Sequence, residues 1–205
     1  MSKMTLSYFD FSGSRGEECR LALYLGGAPF EDDRIKPRDW PARKPTTPYG
    51  ALPVLTIEGH PPIGQTNTIL RMIGRKYGLH PADEWEAVRH ESLMGATEDL
   101  RVKLSPIIRI KDPEEKKRAR QEIASGYMQE WGGYVEKQIG DGPFFGGAKI
   151  QVADLKLYVT INAFAKGTID YIPATVFSAF PKLTRLFEAA RSHPKIVEWN
   201  AAHAG

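Results

Sequence analysis

The chain changes character near residue 80, and no other feature constrains its fold as strongly. Before that point, short alternating or β-branched segments are separated by Pro and Gly; from Pro81 onward no strand pattern occurs. Met4–Phe9 alternates and predicts a strand. Ser12-Gly-Ser-Arg-Gly16 reads as a turn, after which Glu17 and Glu18 suit the first turn of a helix, where the macrodipole favours acids. Cys19, Ala22, Leu23 and Gly26 recur at helical spacing. Leu21, Tyr24 and Leu25 make the other flank apolar too, so this helix needs cover on two sides. Gly26-Gly27 ends it, and residues 30–35 predict a second strand. Residues 36–50 hold four prolines and no periodicity, which predicts a long loop of the kind that usually serves a purpose. Val54–Ile57 reads as a third strand, Glu58-Gly-His-Pro61 as a hairpin turn, and residues 62–64 as a short strand that proline confines to an edge. Gln65-Thr66 opens a helix through Ile69, Leu70, Ile73 and Tyr77, stopped by Gly78. The order is β-α-β, loop, β-β-α.

The remainder reads as helices over 82–104, 114–139, 152–164 and 182–190. Asp112-Pro-Glu-Glu115 supplies an N-cap, an N1 proline and acids in the first turn. Gly132-Gly133 conflicts with the helix around it and predicts a kink or a close contact. The expected architecture is an α/β domain over residues 1–79 followed by an all-helical domain over 83–205.

Composition narrows the function. With 41% hydrophobic and 26% charged residues the chain is globular rather than disordered, and no apolar run reaches the roughly 18–20 residues of a membrane helix. Met1-Ser-Lys-Met4 runs straight into the first strand and leaves no room for a signal peptide, so a cytoplasmic location is expected. One cysteine, Cys19, rules out intramolecular disulfides, Cys–zinc centres and CxxC redox chemistry. Five scattered histidines lack metal-binding spacing, so no metal is expected. A net charge of +3 gives no case for nucleic acid, and there is no Gly-rich phosphate loop.

Four features occur in an order that resembles the glutathione S-transferase family. Ser7-Tyr8-Phe9 places a tyrosine at the end of the first strand. Asp39-Trp40-Pro41-Ala42-Arg43-Lys44 puts a tryptophan and a lysine in the long loop. Leu52-Pro53-Val54-Leu55 has the proline before the third strand, and Gln65-Thr66 stands where the family usually has Gln-Ser. The tyrosine with the Trp/Lys loop is most similar to the sigma class, which includes prostaglandin D synthases. The resemblance implies a thioredoxin-like N-terminal domain, a helical domain that contributes the electrophile site, and a homodimer. It also implies transfer of the glutathione thiolate to hydrophobic electrophiles, with glutathione as substrate and no metal. A glutathione-dependent isomerase or peroxidase of the prostaglandin D synthase kind is the second reading, and a non-catalytic structural or interaction protein the third.

Each residue then has an implied role. A free thiol near pKa 8.5 is mostly protonated at neutral pH, and lowering that value by two units takes about 2.7 kcal/mol, within reach of one or two charge-assisted hydrogen bonds. Tyr8 would donate one of them, with core packing as its alternative role. Ser12 and Ser14 are rivals in the following turn, and Arg15 resembles an arginine near the thiol. Trp40 and Lys44 would reach the glycine end. A cis Leu52–Pro53 bond would turn the Leu52 backbone outward for strand-like pairing with an extended peptide, a trans turn being the alternative. Gln65 and Thr66 at a helix N-terminus would hold the γ-glutamyl carboxylate. Asp99, with Glu98 as rival, would reach the glutathione amine of a neighbouring subunit.

One departure from the family pattern stands out. Where a Ser/Thr-x-x-Asp capping box is usual, this chain has Gln151-Val-Ala-Asp154, so the helix that follows is expected to lose up to about 1 kcal/mol.

Overall fold

The computed structural model describes residues 3–203. By its internal contacts the chain forms two units. One comprises residues up to Ala87 together with those from Ser192 onward, and the other is Val88–Arg191.

The first unit is built on a four-stranded sheet: β1 (Met4–Phe9), β2 (Glu31–Ile35), β3 (Val54–Ile57) and β4 (Ile63–Gly64), in spatial order β2-β1-β3-β4. β1 and β2 are parallel, so the chain between them crosses over as a helix, α1 (Ser14–Leu25). β1–β3 and β3–β4 are antiparallel. The expected loop after β2 is not structureless: it holds the short helix α2 (Trp40–Arg43) between two 3₁₀ turns, each begun near a proline whose fixed φ suits a first helical position. α3 (Thr66–Tyr77) buries Ile69, Leu70 and Ile73 and turns Arg71, Arg75 and Lys76 outward; Gly78 ends it in the left-handed region at φ 71°.

α1 contrasts with that simple stripe. Leu21, Ala22 and Leu23 are fully buried, and so are Glu18 and Arg20. It has no solvent face along this stretch because β1, α3 and a last helix, α9 (Pro194–Ala202), all pack against it. α9 is absent from the sequence expectation: its buried residues are Ile196 and Trp199, too few to give a period.

The second unit consists of α4 (Glu84–Ile108, entered at Val88), α5 (Pro113–Ser125), α6 (Tyr127–Gln138), α7 (Val152–Ala165) and α8 (Pro181–Arg191). The helix expected over 114–139 is two helices. The break falls at Gly126, whose backbone at φ −101°, ψ −100° leaves the helical region, and not at Gly132-Gly133. Gly132 answers the other half of that expectation, the close contact: a Cβ there would meet the Phe180 ring at 2.3 Å. Asp112 caps α5 as predicted, accepting from the Glu115 N–H at 2.8 Å.

α7 is the core helix of this unit, with every residue from Val152 to Ile161 buried. Its first turn keeps one half of a capping box. The Asp154 carboxylate accepts from the N–H of Gln151 and of Phe145, both at 2.8 Å, whereas Gln151 Oε1 is buried with no hydrogen-bond partner among the described residues. Burial pushes the Asp154 carboxyl up to about 7, against backbone hydrogen bonds that pull it down.

Candidate active site at one end of the sheet

The sheet register gathers the candidate residues of the first unit. Val54 pairs with Ser7 on one side and with Gly64 on the other. Tyr8 follows Ser7, Leu52-Pro53 precedes Val54, and Gln65-Thr66 follows Gly64. Three segments far apart in sequence therefore leave one row of the sheet at the same end. That end is the C-terminal end of β1, where open α/β sheets place their ligands.

Tyr8 pairs with Arg34 of β2, one residue past the last β1–β3 pair, Ser7–Val54, and its side chain is buried. Its ring meets Phe9 edge-on and Phe11 at a tilt, both with centroids 5.7 Å away. Phe9 in turn meets the Trp40 ring edge-on at 5.6 Å. This chain of rings links the strand end to the helical turns after β2. Lys44 begins the second 3₁₀ turn, and its stem runs over Gly50, where a Cβ would lie 3.3 Å from Lys44 Cε.

The Leu52–Pro53 bond is cis, as the resemblance implies. Gln65 has φ 69°, ψ 112°, a left-handed value that is costly for a residue with a side chain, and such strain gathers at functional sites. Thr66 is buried at the first position of α3, a 12-residue helix whose N-terminal N–H groups favour an anion. Ser12 is exposed in the turn, Ser14 opens α1 with φ 55°, and Arg15 follows it, half-buried.

A sequence profile described as "Glutathione S-transferase, C-terminal domain" matches residues 98–203. The glutathione S-transferase P 2 of Bufo bufo is 31% identical, over 97% of this chain and 92% of its own. The chain belongs to the glutathione S-transferase family. Its fold is similar to the prostaglandin synthase D structure of Nilaparvata lugens, with TM-score 0.85 and 26% identity over 97% of each chain. It is similar as well to a glutathione S-transferase of the hookworm Necator americanus described as monomeric, with TM-score 0.86 and 25% identity over 98% of this chain and 97% of that one.

In this transferase the helical unit separates the two acidic rivals on α4. The Glu98 carboxylate bonds Lys156 Nζ at 3.0 Å, and that ammonium is fully buried on α7. Asp99 is exposed and lines a cleft of about 410 Å³ together with Arg89, Tyr127, Trp131 and Tyr134. Burial raises the Tyr127 phenol above its ordinary range, and the Asp99 carboxylate adds to the effect.

Two residues of the Tyr8 surroundings escaped the sequence reading. Arg20 is wholly buried and donates from Nε to both Asp32 oxygens (2.9 and 3.0 Å), from Nη1 to the Phe11 carbonyl (3.0 Å) and to Glu17 (3.3 Å), and from Nη2 to the Phe9 carbonyl (3.3 Å). Glu17 is fixed from its other side by Trp199 Nε1 at 2.6 Å. Arginine 20 thus ties down the backbone that follows Tyr8, with its guanidinium 5.8 Å from the Tyr8 ring centre. An arginine between apolar neighbours on a helix apolar on both flanks was the available signal. The second residue is Gly16, which a turn-like Ser-Gly-Ser-Arg-Gly run conceals.

Proposed function

We propose that this glutathione S-transferase ionises the thiol of bound glutathione with Tyr8 and adds the sulfur to hydrophobic electrophiles. The observation that carries the proposal is the row Ser7–Val54–Gly64, which gives Tyr8, Leu52-Pro53 and Gln65-Thr66 a common end of the sheet. The γ-glutamyl carboxylate takes the N-terminus of α3 at Gln65 and Thr66. The cysteinyl backbone pairs with Leu52 beside Pro53, and the glycine carboxylate meets Trp40 and Lys44. The Tyr8 hydroxyl donates to sulfur, with Arg15 adding positive charge. The S–H proton leaves to solvent, the S–C bond forms, and the electrophile releases its leaving group or gains a proton at the carbon that takes up the charge.

Tyrosine with the Trp40/Lys44 loop fits the sigma class, with residues 1–79 holding glutathione and residues 83–205 contributing the electrophile site. Detoxification in the cytosol, a reducing compartment, suits a chain with one cysteine. A homodimer would use one side of α4, where Trp85, Val88 and Val102 stand exposed along with Asp99. Asp99 would meet the partner's glutathione amine, Glu98 being engaged by Lys156. A dimer by sedimentation at micromolar concentration, with Asp99→Ala raising the glutathione KM more than it lowers kcat, is the expected outcome. A monomer, like the hookworm relative, would end this part of the reading.

Similarity to the Nilaparvata lugens synthase favours a second reading on the same site, glutathione-dependent isomerisation of a prostaglandin-like lipid peroxide. Either reaction needs the thiolate, so Tyr8→Phe tests both. Glutathione should still bind, its thiol pKa should rise by about one to two units, and conjugation at neutral pH should fall about ten- to a hundredfold and partly recover at higher pH. Thiolate absorbance against pH reads this directly. If Ser12→Ala or Ser14→Ala moves that titration and Tyr8→Phe does not, the tyrosine is not the donor.

A further inference from the structure

We propose that Gly16 is a positioning residue for Tyr8: the tyrosine ring occupies the space that any side chain at position 16 would fill. The inference rests on Tyr8 as the thiolate's hydrogen-bond donor and deepens that reading. A Cβ built on Gly16 would lie 2.1 Å from Tyr8 Cδ1, 2.3 Å from Cγ and 2.8 Å from Cβ. These are the root of the side chain, not its mobile end.

The glycine is not there for its backbone. Gly16 sits inside α1, outside the left-handed region, so alanine fits its conformation and is the better helix former. What alanine cannot do is share space with the phenol. The Tyr8 main chain has little freedom to withdraw, because Tyr8 pairs with Arg34 of β2 and the residue before it, Ser7, pairs with Val54 of β3 as well. The backbone just beyond it is held by Arg20 at the Phe9 and Phe11 carbonyls. Relief must therefore come from the Tyr8 torsions. A twist of roughly 30° off a rotamer is tolerable for a side chain, but it swings the distant hydroxyl, and a misplacement of about 1 Å in a catalytic group can cost about a hundredfold. Gly16 and Arg20 thus grip the tyrosine from two directions, one by absence of bulk and the other by hydrogen bonds.

The experiment is a cycle of wild type, Tyr8→Phe, Gly16→Ala and the double variant, each read by glutathione KM, by bound-thiolate absorbance against pH, and by melting temperature. We expect Gly16→Ala to raise the bound-thiol pKa by about one unit and to cut conjugation at neutral pH at least about tenfold. Glutathione KM should stay within about twofold, and in the Tyr8→Phe background Gly16→Ala should cost little further activity. A Gly16→Ala enzyme with the wild-type titration overturns the proposal. So does an equal loss of activity in both backgrounds, or a raised KM with an unmoved pH profile, since each describes packing alone. If Tyr8→Phe itself leaves the titration in place, it is the thiolate reading that fails. Should Gly16→Ala not fold, Tyr8→Ala vacates the contested space, and Tyr8→Ala/Gly16→Ala must then melt no lower than Tyr8→Ala; a lower melting temperature overturns the steric argument.

Discussion

Arg20 in the first unit and Lys156 in the second are both fully buried cations, yet their surroundings differ in kind. Arg20 spends its planar fork on Asp32, Glu17 and two main-chain carbonyls, so its charge is neutralised and its donors build the backbone beside the tyrosine. Lys156 meets Glu98, a carboxylate still 28% exposed, which also lies 4.0 Å from Arg101. Both meet a carboxylate that water partly reaches, 21% exposed at Asp32 and 28% at Glu98, and Arg20 in addition holds two main-chain carbonyls. Burial alone therefore does not measure what a charge does; the chemistry and geometry of its partners do.

The sharpest way to break this contrast is to delete both charges at similar volume. Arg20→Met should destabilise the protein by about 3–5 kcal/mol, because it strands the buried Glu17 carboxylate and the Phe9 and Phe11 carbonyls, even though Asp32 keeps Arg34. Lys156→Met should cost only about 1–2 kcal/mol, since Glu98 keeps access to water and to Arg101. Denaturant midpoints at constant m-value give both numbers, and equal costs would erase the distinction.

Asp154 extends the comparison to a buried acid held by peptide N–H groups instead of a cation. Its carboxyl is raised to about 7 in the folded protein from an ordinary 3.8, so the folded chain keeps a proton that the unfolded chain has released. This residue's effect on stability should therefore be most favourable below about pH 4 and decline as pH rises to about 7, with a slope approaching about 1.4 kcal/mol per pH unit mid-window. Asp154→Asn should remove that slope from chemical unfolding curves measured between pH 4 and 7. An unchanged slope would assign the pH dependence to other groups.

The smallest effect lies three residues earlier. Gln151→Ser supplies a side chain of capping length and should add about 0.5–1 kcal/mol, read as a small rise in the denaturation midpoint.

What could be read from sequence follows the same division between periodic and particular features. The four strands and α3 are legible because alternation, a hairpin turn and an amphipathic stripe are local patterns. Tyr8, Leu52-Pro53 and Gln65-Thr66 are legible as an ordered set of motifs. Propensity cannot tell a buried arginine from an exposed one; the apolar neighbours of Arg20 hint at its burial, but its partners Asp32 and, through Glu17, Trp199 come from β2 and α9 and cannot be read from the local sequence. Likewise Gly126 and Gly132-Gly133 look alike in sequence. Backbone dihedrals show that the first breaks a helix, and the Phe180 ring packed against Gly132 shows that the second admits a ring.

The row Ser7–Val54–Gly64 is also a ruler. Neighbouring strands sit about 4.8 Å apart, so β1, β3 and β4 span about 10 Å from the first to the third, which is the reach of about three residues of extended chain. Peptide geometry, and no side chain, sets that length. On the reading proposed above, substitutions can therefore accumulate over the faces of this sheet and across the helices, while the spacing offered to a tripeptide stays fixed.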